Sequence, residues 1–123
     1  MTENREEAPF AFPGLDRLFH ERARLGIVTS LAGQAEGLAF SELKRLCGLT
    51  DGNLNRHLSA LEEAGYVTIA KEQTKGRPVT TCRLTGTGRE RFVEYLAELE
   101  SVLRKGASAT AGDPFPYALG NKA

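Results

Sequence analysis

The chain has 123 residues, of which 41% are hydrophobic, so it is long enough to bury one compact core but not two. Its 16 basic and 16 acidic residues give a formal net charge of zero, which excludes attraction of nucleic acid by a general positive field. The two cysteines do not have the spacing of a disulfide scaffold, and no apolar run approaches the roughly 18 residues of a membrane span. We therefore expect a cytoplasmic protein that is neither exported nor embedded in a membrane.

Composition along the chain predicts a flexible N-terminal arm at residues 1–13, one domain at residues 14–106 and a mobile C-terminal tail at residues 107–123. The segment PFAFPG favours an extended arm because proline disfavours helix just before it. The tail is rich in small residues, Gly and Pro, and its large apolar residues are Phe115, Tyr117 and Leu119.

The first half of the domain contains helical periodicity. Apolar residues recur at steps of three and four from Leu15 to Ala32, which predicts a first helix, with a break near His20 as an alternative. Two glycines follow, and residues 38–40 are predicted to form a brief strand. Ser41 is expected to cap a short second helix that ends at Gly48.

The next helix is predicted from Thr50 to Gly65. Thr50 is expected to cap its N-terminus, and the left-handed conformation of Gly65 is expected to end it. Leu54, Leu58 and Leu61 form one apolar stripe. Only about three residues separate this helix from the one before it, which is the connection of a helix-turn-helix.

After Gly65 the apolar pattern alternates, which predicts two strands, near residues 67–70 and 81–84. Between them, residues 73–78 (QTKGRP) predict a flexible basic hairpin tip. Thr85 or Thr87 is expected to cap a last helix that frays beyond Gly106. Its apolar positions are Phe92, Leu96, Leu99 and Leu103.

The predicted fold is mainly α with a small β-hairpin, in the order α-β-α-α-β-β-α of a winged helix-turn-helix. With the leucine stripe facing inward, Asn53, Asn55 and Arg56 lie on or beside the outer face of the third helix, at its N-terminal half. Arginine pairs with guanine and asparagine with adenine, so we predict that these three contact bases in double-stranded DNA. The predicted backbone contacts are Ser41, Lys44, Arg45, Thr50, Gly52, Ser59, Lys71, Lys75 and Arg77.

Several motifs together resemble the winged-helix regulators allied to the MarR and ArsR types, most closely their short single-domain members. They are HERARLGI at residues 20–27, FSELKRL at 40–46, LTDGNLNRHL at 49–58, LEEAGYV at 61–67, GRP at 76–78 and RLT at 83–85. The resemblance implies a homodimeric transcriptional regulator joined through its first and last helices, with recognition helix 3 in the major groove and the wing on the minor groove or backbone. Cys82 departs from the pattern, since similar proteins often carry a tyrosine there, and this position faces the core.

The outer helices have more large apolar residues than one thin domain can cover, which predicts a homodimer surface. The alternative is that the two arms fold back and bury this surface within one subunit. The predicted dimer residues are Leu15, Leu18, Phe19, Phe92, Tyr95, Leu96, Leu99, Val102 and Leu103.

No motif predicts an enzyme, a cofactor or a metal site, because the two Cys and two His residues are scattered singly and no nucleophile accompanies a base. Cys47 is expected to be inert, with a redox switch as the alternative. His57 is expected at the boundary of the apolar stripe, and His20 either packs a helix or has a function.

Two further possibilities follow from the same pattern. A cavity between helices 1, 2 and 4 could hold a small apolar effector. The alternative function is a winged-helix module for protein–protein interaction without DNA binding. It is supported by the zero net charge and by three acidic residues close to the third helix and the hairpin, Glu62, Glu63 and Glu72.

Overall fold

A computed structural model describes residues 8–112, and residues 1–7 and 113–123 lie outside the described part, together with Phe115, Tyr117 and Leu119 of the predicted tail. The order α-β-α-α-β-β-α is confirmed. The elements are α1 (Arg22–Ala32), β1 (Leu38–Ala39), α2 (Phe40–Cys47), α3 (Asp51–Glu63), β2 (Val67–Thr74), β3 (Arg77–Leu84) and α4 (Gly86–Ala111). The strands form one antiparallel sheet in the order β1-β3-β2. No helix in residues 8–112 is long and apolar enough to cross a membrane.

The chain divides into two compact units, one of residues 16–92 and one that includes residues 8–15 and 93–112 of the described chain. In the first unit, the predicted leucine stripe of α3 is confirmed, since Leu54, Leu58 and Leu61 are all buried. Cys82 of β3 is also buried, as predicted, and burial raises the pKa of its thiol to about 11. This thiol therefore stays protonated and packs as a small apolar group.

The first helix begins later than predicted, at Arg22 instead of Leu15. The carboxylate of Glu21 caps it by accepting the Arg24 backbone N–H at 2.9 Å. A separate turn precedes it, in which the carboxylate of Asp16 accepts the Leu18 N–H at 2.9 Å. The alternative with a break near His20 is therefore closer to the structure.

The second helix begins one residue before the predicted cap. Phe40 is its first residue, and Ala39 is the N-cap, with no side-chain hydrogen bond. The prediction that Ser41 caps α2 is wrong, because Ser41 already lies inside the first turn. Pairing of Ala39 with Thr81 in β3 holds the chain extended up to this point.

The hairpin that forms the wing has longer strands and a shorter tip than predicted. Lys75 and Gly76 have φ angles of 56° and 75°, and they alone connect β2 to β3. Positive φ at both central residues is the geometry of a type I′ turn, which matches the twist of the strands. Gln73 and Pro78 are paired across the strands, so the prediction of a six-residue tip is wrong.

Three residues predicted at the dimer surface belong to the core. Phe19 stacks on Tyr66 at 5.0 Å between ring centroids and meets the edge of Phe92 at 5.4 Å. Phe19, Phe92 and Tyr95 are at most 5% exposed. Their assignment to a dimer surface is wrong, because the side chains are already covered within one chain.

In the second unit, the N-terminal segment packs along α4. The backbone N–H of Gly14 donates to Glu98 Oε1 at 3.0 Å, and Lys105 Nζ donates to the carbonyl oxygen of Pro9 at 2.7 Å. The same ammonium lies 5.5 Å from the centre of the Phe12 ring, a cation–π distance. These contacts attach the described part of the predicted arm, residues 8–13, to the helix.

The last helix is capped as predicted, since Thr85 Oγ1 accepts the Gly88 N–H at 2.9 Å. It continues to Ala111, so the predicted fraying beyond Gly106 is wrong.

A side chain at Gly88 should destabilise the fold. A Cβ there would collide with the carbonyl oxygen of Tyr66 and lie 2.9 Å from Leu84 Cδ1. We expect Gly88→Ala to lower the free energy of unfolding by about 1–3 kcal/mol in urea denaturation. Gly86→Ala is the control, because no neighbouring atom lies within 4 Å of its Cβ, and it should change stability by less than about 0.5 kcal/mol. Equal effects of the two substitutions would contradict this explanation.

Candidate nucleic-acid interface

Helix α3 has a defined start and a defined end. Thr50 Oγ1 accepts the backbone N–H of Asn53 at 3.2 Å, which confirms the predicted cap. At the other end Gly65 has a φ of 83°, and the Tyr66 N–H donates to the carbonyl oxygen of Leu61 at 2.9 Å. This closing bond is typical of a helix that ends in a left-handed glycine. The helix is therefore fixed at both ends.

The outer face of α3 has the composition that base contacts need. Asn53, Asn55 and Arg56 are all exposed. Arg56 Nη2 donates to Asn53 Oδ1 at 3.3 Å, so two of the three predicted base contacts lie side by side. Arginine and asparagine are the side chains that make paired hydrogen bonds to guanine and adenine. The surface can therefore offer both donors and acceptors to base edges.

The predicted backbone contacts all lie on the surface, but two of the cations are paired. Lys44 Nζ lies 2.9 Å from Asp51 Oδ1, and Arg45 pairs with Glu42 on the same helix. The guanidinium of Arg45 lowers the pKa of Glu42, which keeps that carboxylate charged. Every predicted backbone residue is exposed, namely Ser41, Lys44, Arg45, Thr50, Gly52, Ser59, Lys71, Lys75 and Arg77.

The wing has cations that form no ion pair with a carboxylate of the described residues. The ion pairs found within residues 8–112 do not include Lys71, Lys75 or Arg77. The acid on this hairpin is paired instead, since Glu72 lies 2.9 Å from Arg83 Nη1 and 3.3 Å from its Nη2. Arg83 also lowers the pKa of Glu72. The wing therefore presents a local positive surface in a chain of zero net charge.

His57 is a core residue, so its predicted place at the boundary of the stripe is wrong. The residue is 4% exposed, and Nδ1 lies 3.2 Å from Arg24 Nη1 and 3.8 Å from Glu21 Oε1. Burial is the main cause that lowers the pKa of His57. A helical projection places it about 60° from Leu54, inside the apolar sector, and this signal could have revealed its burial. Its partners on α1 could not be recognised from periodicity.

A groove of about 820 Å³ lies between α1, the turn after α2, and α3. Asn53, Arg56, His57 and Cys47 are among its lining residues. The effector cavity was predicted between helices 1, 2 and 4, whereas in this groove α3 supplies the third wall. Within residues 8–112 no three His, Cys, Asp or Glu side chains are grouped so that they could hold a metal ion.

A capped polar helix after a short turn, followed by a basic hairpin, defines a DNA-binding protein of the winged helix-turn-helix class. The sequence comparison gives the same result, since the family model of the winged helix DNA-binding domain matches residues 23–103. The chain belongs to this family. The predicted resemblance to winged-helix regulators is confirmed by this match and by a solved transcriptional regulator homologue.

The chain is similar to three proteins in particular. An uncharacterized protein of Methanocaldococcus jannaschii is 40% identical over 83 residues, which are 68% of this chain and 89% of that protein. The transcriptional regulator homologue of Pyrococcus horikoshii OT3 is 30% identical, with a TM-score of 0.68, over 75% of this chain and 89% of that chain. The M. tuberculosis transcriptional regulator MosR, solved in complex with DNA, has a TM-score of 0.61 over 89% of this chain and 77% of that chain. At 18% identity this last likeness concerns the fold alone.

The Thr50 cap should stabilise α3 measurably. We expect Thr50→Ala to lower the free energy of unfolding by about 1 kcal/mol, because the Asn53 N–H loses its partner. Ser41→Ala is the matched control, since Ser41 is exposed and caps no helix, and it should change stability by less than about 0.5 kcal/mol. Both values can be measured by urea denaturation. A larger loss at Ser41 than at Thr50 would reverse the assignment of the two caps.

Proposed function

We propose that this protein is a homodimeric transcriptional regulator that binds double-stranded DNA in a sequence-specific way, and that it is not an enzyme. Helix α3 enters the major groove, and the wing contacts the backbone or the minor groove. The observation that carries the proposal is the exposed cluster of Asn53, Asn55 and Arg56 at the N-terminal half of α3. This is the half of a recognition helix that meets base edges. We also propose a cytoplasmic location, in agreement with DNA as the partner.

Phosphate contacts are expected on both sides of a second groove, of about 490 Å³. One side is the beginning of α2, where Ser41 is exposed and no side chain caps the helix. The other side is the wing, with Lys75 and Arg77. Free backbone N–H groups and unpaired cations are both suited to phosphate oxygens. A DNA backbone lying between α2 and the wing would thus be held from two directions.

A homodimer is supported by the apolar face of α4. Val93, Leu96 and Leu103 are 60%, 45% and 52% exposed, and at about 100° per residue they lie within a sector of about 80°. Leu15, Leu18, Leu99 and Val102 are partly exposed. The folded-back N-terminal segment therefore leaves part of the predicted surface open. A two-fold dimer that binds one face of DNA favours a palindromic site whose half-sites are about 34 Å apart.

A small effector is also part of the proposal. A molecule seated in the groove of about 820 Å³ would contact Leu46, an apolar side chain that is 49% exposed, as well as Asn53 and Arg56. Occupation of the groove would then compete with base contacts.

The second candidate function is a protein–protein module without DNA binding. Glu62 and Glu63 favour it, because both are exposed at the C-terminal end of α3 and would repel phosphate. Binding to duplex DNA at low salt separates the two functions. If no duplex is bound under that condition, the module becomes the better interpretation.

Removal of the Arg56 side chain should weaken specific binding by about 1–3 kcal/mol, because paired hydrogen bonds to one base are lost. Fluorescence anisotropy on duplexes selected from a random pool measures this loss. Arg17→Ala removes another exposed arginine, outside α3, and should leave affinity unchanged. An Arg56→Ala variant with full affinity and unchanged sequence preference would exclude this residue from base contact.

The wing cations should make DNA binding depend more steeply on the salt concentration. We expect Lys75→Ala and Arg77→Ala each to reduce the slope of log affinity against log salt by about 0.9, with a similar loss on every sequence. Titrations at several salt concentrations, with Arg17→Ala as control, give the slopes. Unchanged slopes in both variants would place the wing away from DNA.

Disruption of the α4 face should separate the subunits. Leu96→Glu inserts a charge into the proposed interface, and we expect sedimentation at micromolar concentration to shift from dimer to monomer. Leu46→Glu is the matched control, because Leu46 has a similar exposure and lies on α2. A wild-type chain that sediments as a monomer would contradict the homodimer itself.

A further inference from the structure

The inward side of α3 has a polar contact directly beneath the proposed base-contacting residues. Nδ1 of His57 lies 3.2 Å from Nη1 of Arg24 on α1, and His57 is 4% exposed. The next residue along the chain towards the N-terminus is Arg56, which is exposed, and both residues line the groove of about 820 Å³. A change in the protonation state of the imidazole therefore occurs one residue away from the proposed DNA-facing surface.

The chemistry of this contact fixes the protonation state of His57. A guanidinium has hydrogen-bond donors and no acceptor, so the hydrogen bond requires Nδ1 to be the acceptor. Nδ1 must then be free of a proton, and the proton of the neutral ring lies on Nε2. The contact exists only while His57 is neutral.

Other hydrogen bonds hold Arg24 in place, so its side chain cannot easily move with the imidazole of His57 if the imidazole is displaced. Arg24 Nε donates to the carbonyl oxygen of Leu18 at 2.7 Å, and the Arg24 backbone N–H donates to the carboxylate of Glu21 at 2.9 Å. Both partners lie at the beginning of α1 or in the turn before it. Arg24 therefore connects α3 to a point that is held by other bonds.

Protonation would turn the Nδ1 acceptor into a donor that faces another donor. The charged groups around His57 are Arg24 and Glu21 at α1 and Arg56 on its own helix. The two arginines disfavour a cationic imidazole, whereas Glu21, 3.8 Å from Nδ1, favours it. Burial acts in the same direction as the arginines and is the largest effect, so the pKa of His57 is lowered from its ordinary value.

We propose that Arg24 and neutral His57 position the recognition helix, so that acidification breaks their contact and lowers the affinity for DNA. The inference rests on the proposed function, because it concerns the same DNA-facing surface. The unfolded chain binds a proton on this histidine at a higher pH than the folded chain does, so stability rises with pH over this range. The contribution of His57 to stability is complete above pH 6.5. It is lost as the pH falls from 6.5 through the pKa of the folded state.

The two histidines of the chain provide a matched test. His57→Gln places an amide oxygen that can accept from Arg24 and does not titrate, and His20→Gln removes the exposed histidine instead. DNA affinity is measured from pH 7.5 to 5.5 at constant ionic strength. A site that must lose one proton before binding costs up to about tenfold in affinity per pH unit below its pKa. We expect the affinity of the wild type and of His20→Gln to fall as the pH is lowered through the pKa of His57, and a flat profile in His57→Gln.

A second measurement keeps the contact testable if His57→Gln does not fold or if no DNA is bound. Long-range nitrogen–proton NMR spectra of the wild-type protein report which ring nitrogen has the proton, and their titration gives the pKa. We expect Nε2–H at pH 7.5 and a pKa below 6.5. A proton on Nδ1, or the same affinity profile in all three proteins, would overturn the proposal. Absence of DNA binding at every pH with the expected tautomer would instead contradict the proposed function.

Discussion

The burial of one stripe of leucines fixes the rotation of α3, and the rest of the surface depends on that rotation. Leu54, Leu58 and Leu61 are all buried, and the loss of one such side chain typically costs about 2–5 kcal/mol. Exposed polar contacts contribute far less, typically below about 1 kcal/mol. The core therefore decides which face of α3 is exposed. The polar residues on that face need not stabilise the fold and are free to serve a ligand.

The orientation of α3 is also held by polar and aromatic contacts at its C-terminal end. The hydroxyl of Tyr66, just after the helix, donates to Asp16 Oδ2 at 2.8 Å, and its ring stacks on Phe19. Both partners lie in the turn before α1. Because Arg24 contacts His57 near the middle of α3, the helix is tied to the same region at two points. Burial of apolar side chains alone would let α3 shift along its axis, whereas these directional contacts specify one position of the helix.

The features that the sequence predicted correctly are those decided within a few residues. The Thr50 cap and the leucine stripe depend only on local spacing. Ser41 has the same local signature as Thr50, but pairing of β1 with β3 places the start of α2 at Phe40. Sequence periodicity also could not separate the buried Phe19 from the exposed Leu103, because both are large apolar residues. Contacts between residues that are far apart in the chain decide such cases, and these contacts cannot be predicted directly from one sequence.

A net charge of zero does not argue against DNA binding, because the charges are arranged locally. Charge interactions are screened over about 8 Å at physiological salt. A bound phosphate therefore interacts with the charged side chains near it and not with the net charge of the whole chain. Glu42 and Glu72 are each paired with an arginine, whereas Lys75 and Arg77 lie outside the ion pairs of the described chain. The exposed acids of α3 at residues 62–63 lie at its C-terminal end. In the proposed complex their repulsion from phosphate would keep that end out of the groove, so the same charges that cancel the total would orient the helix.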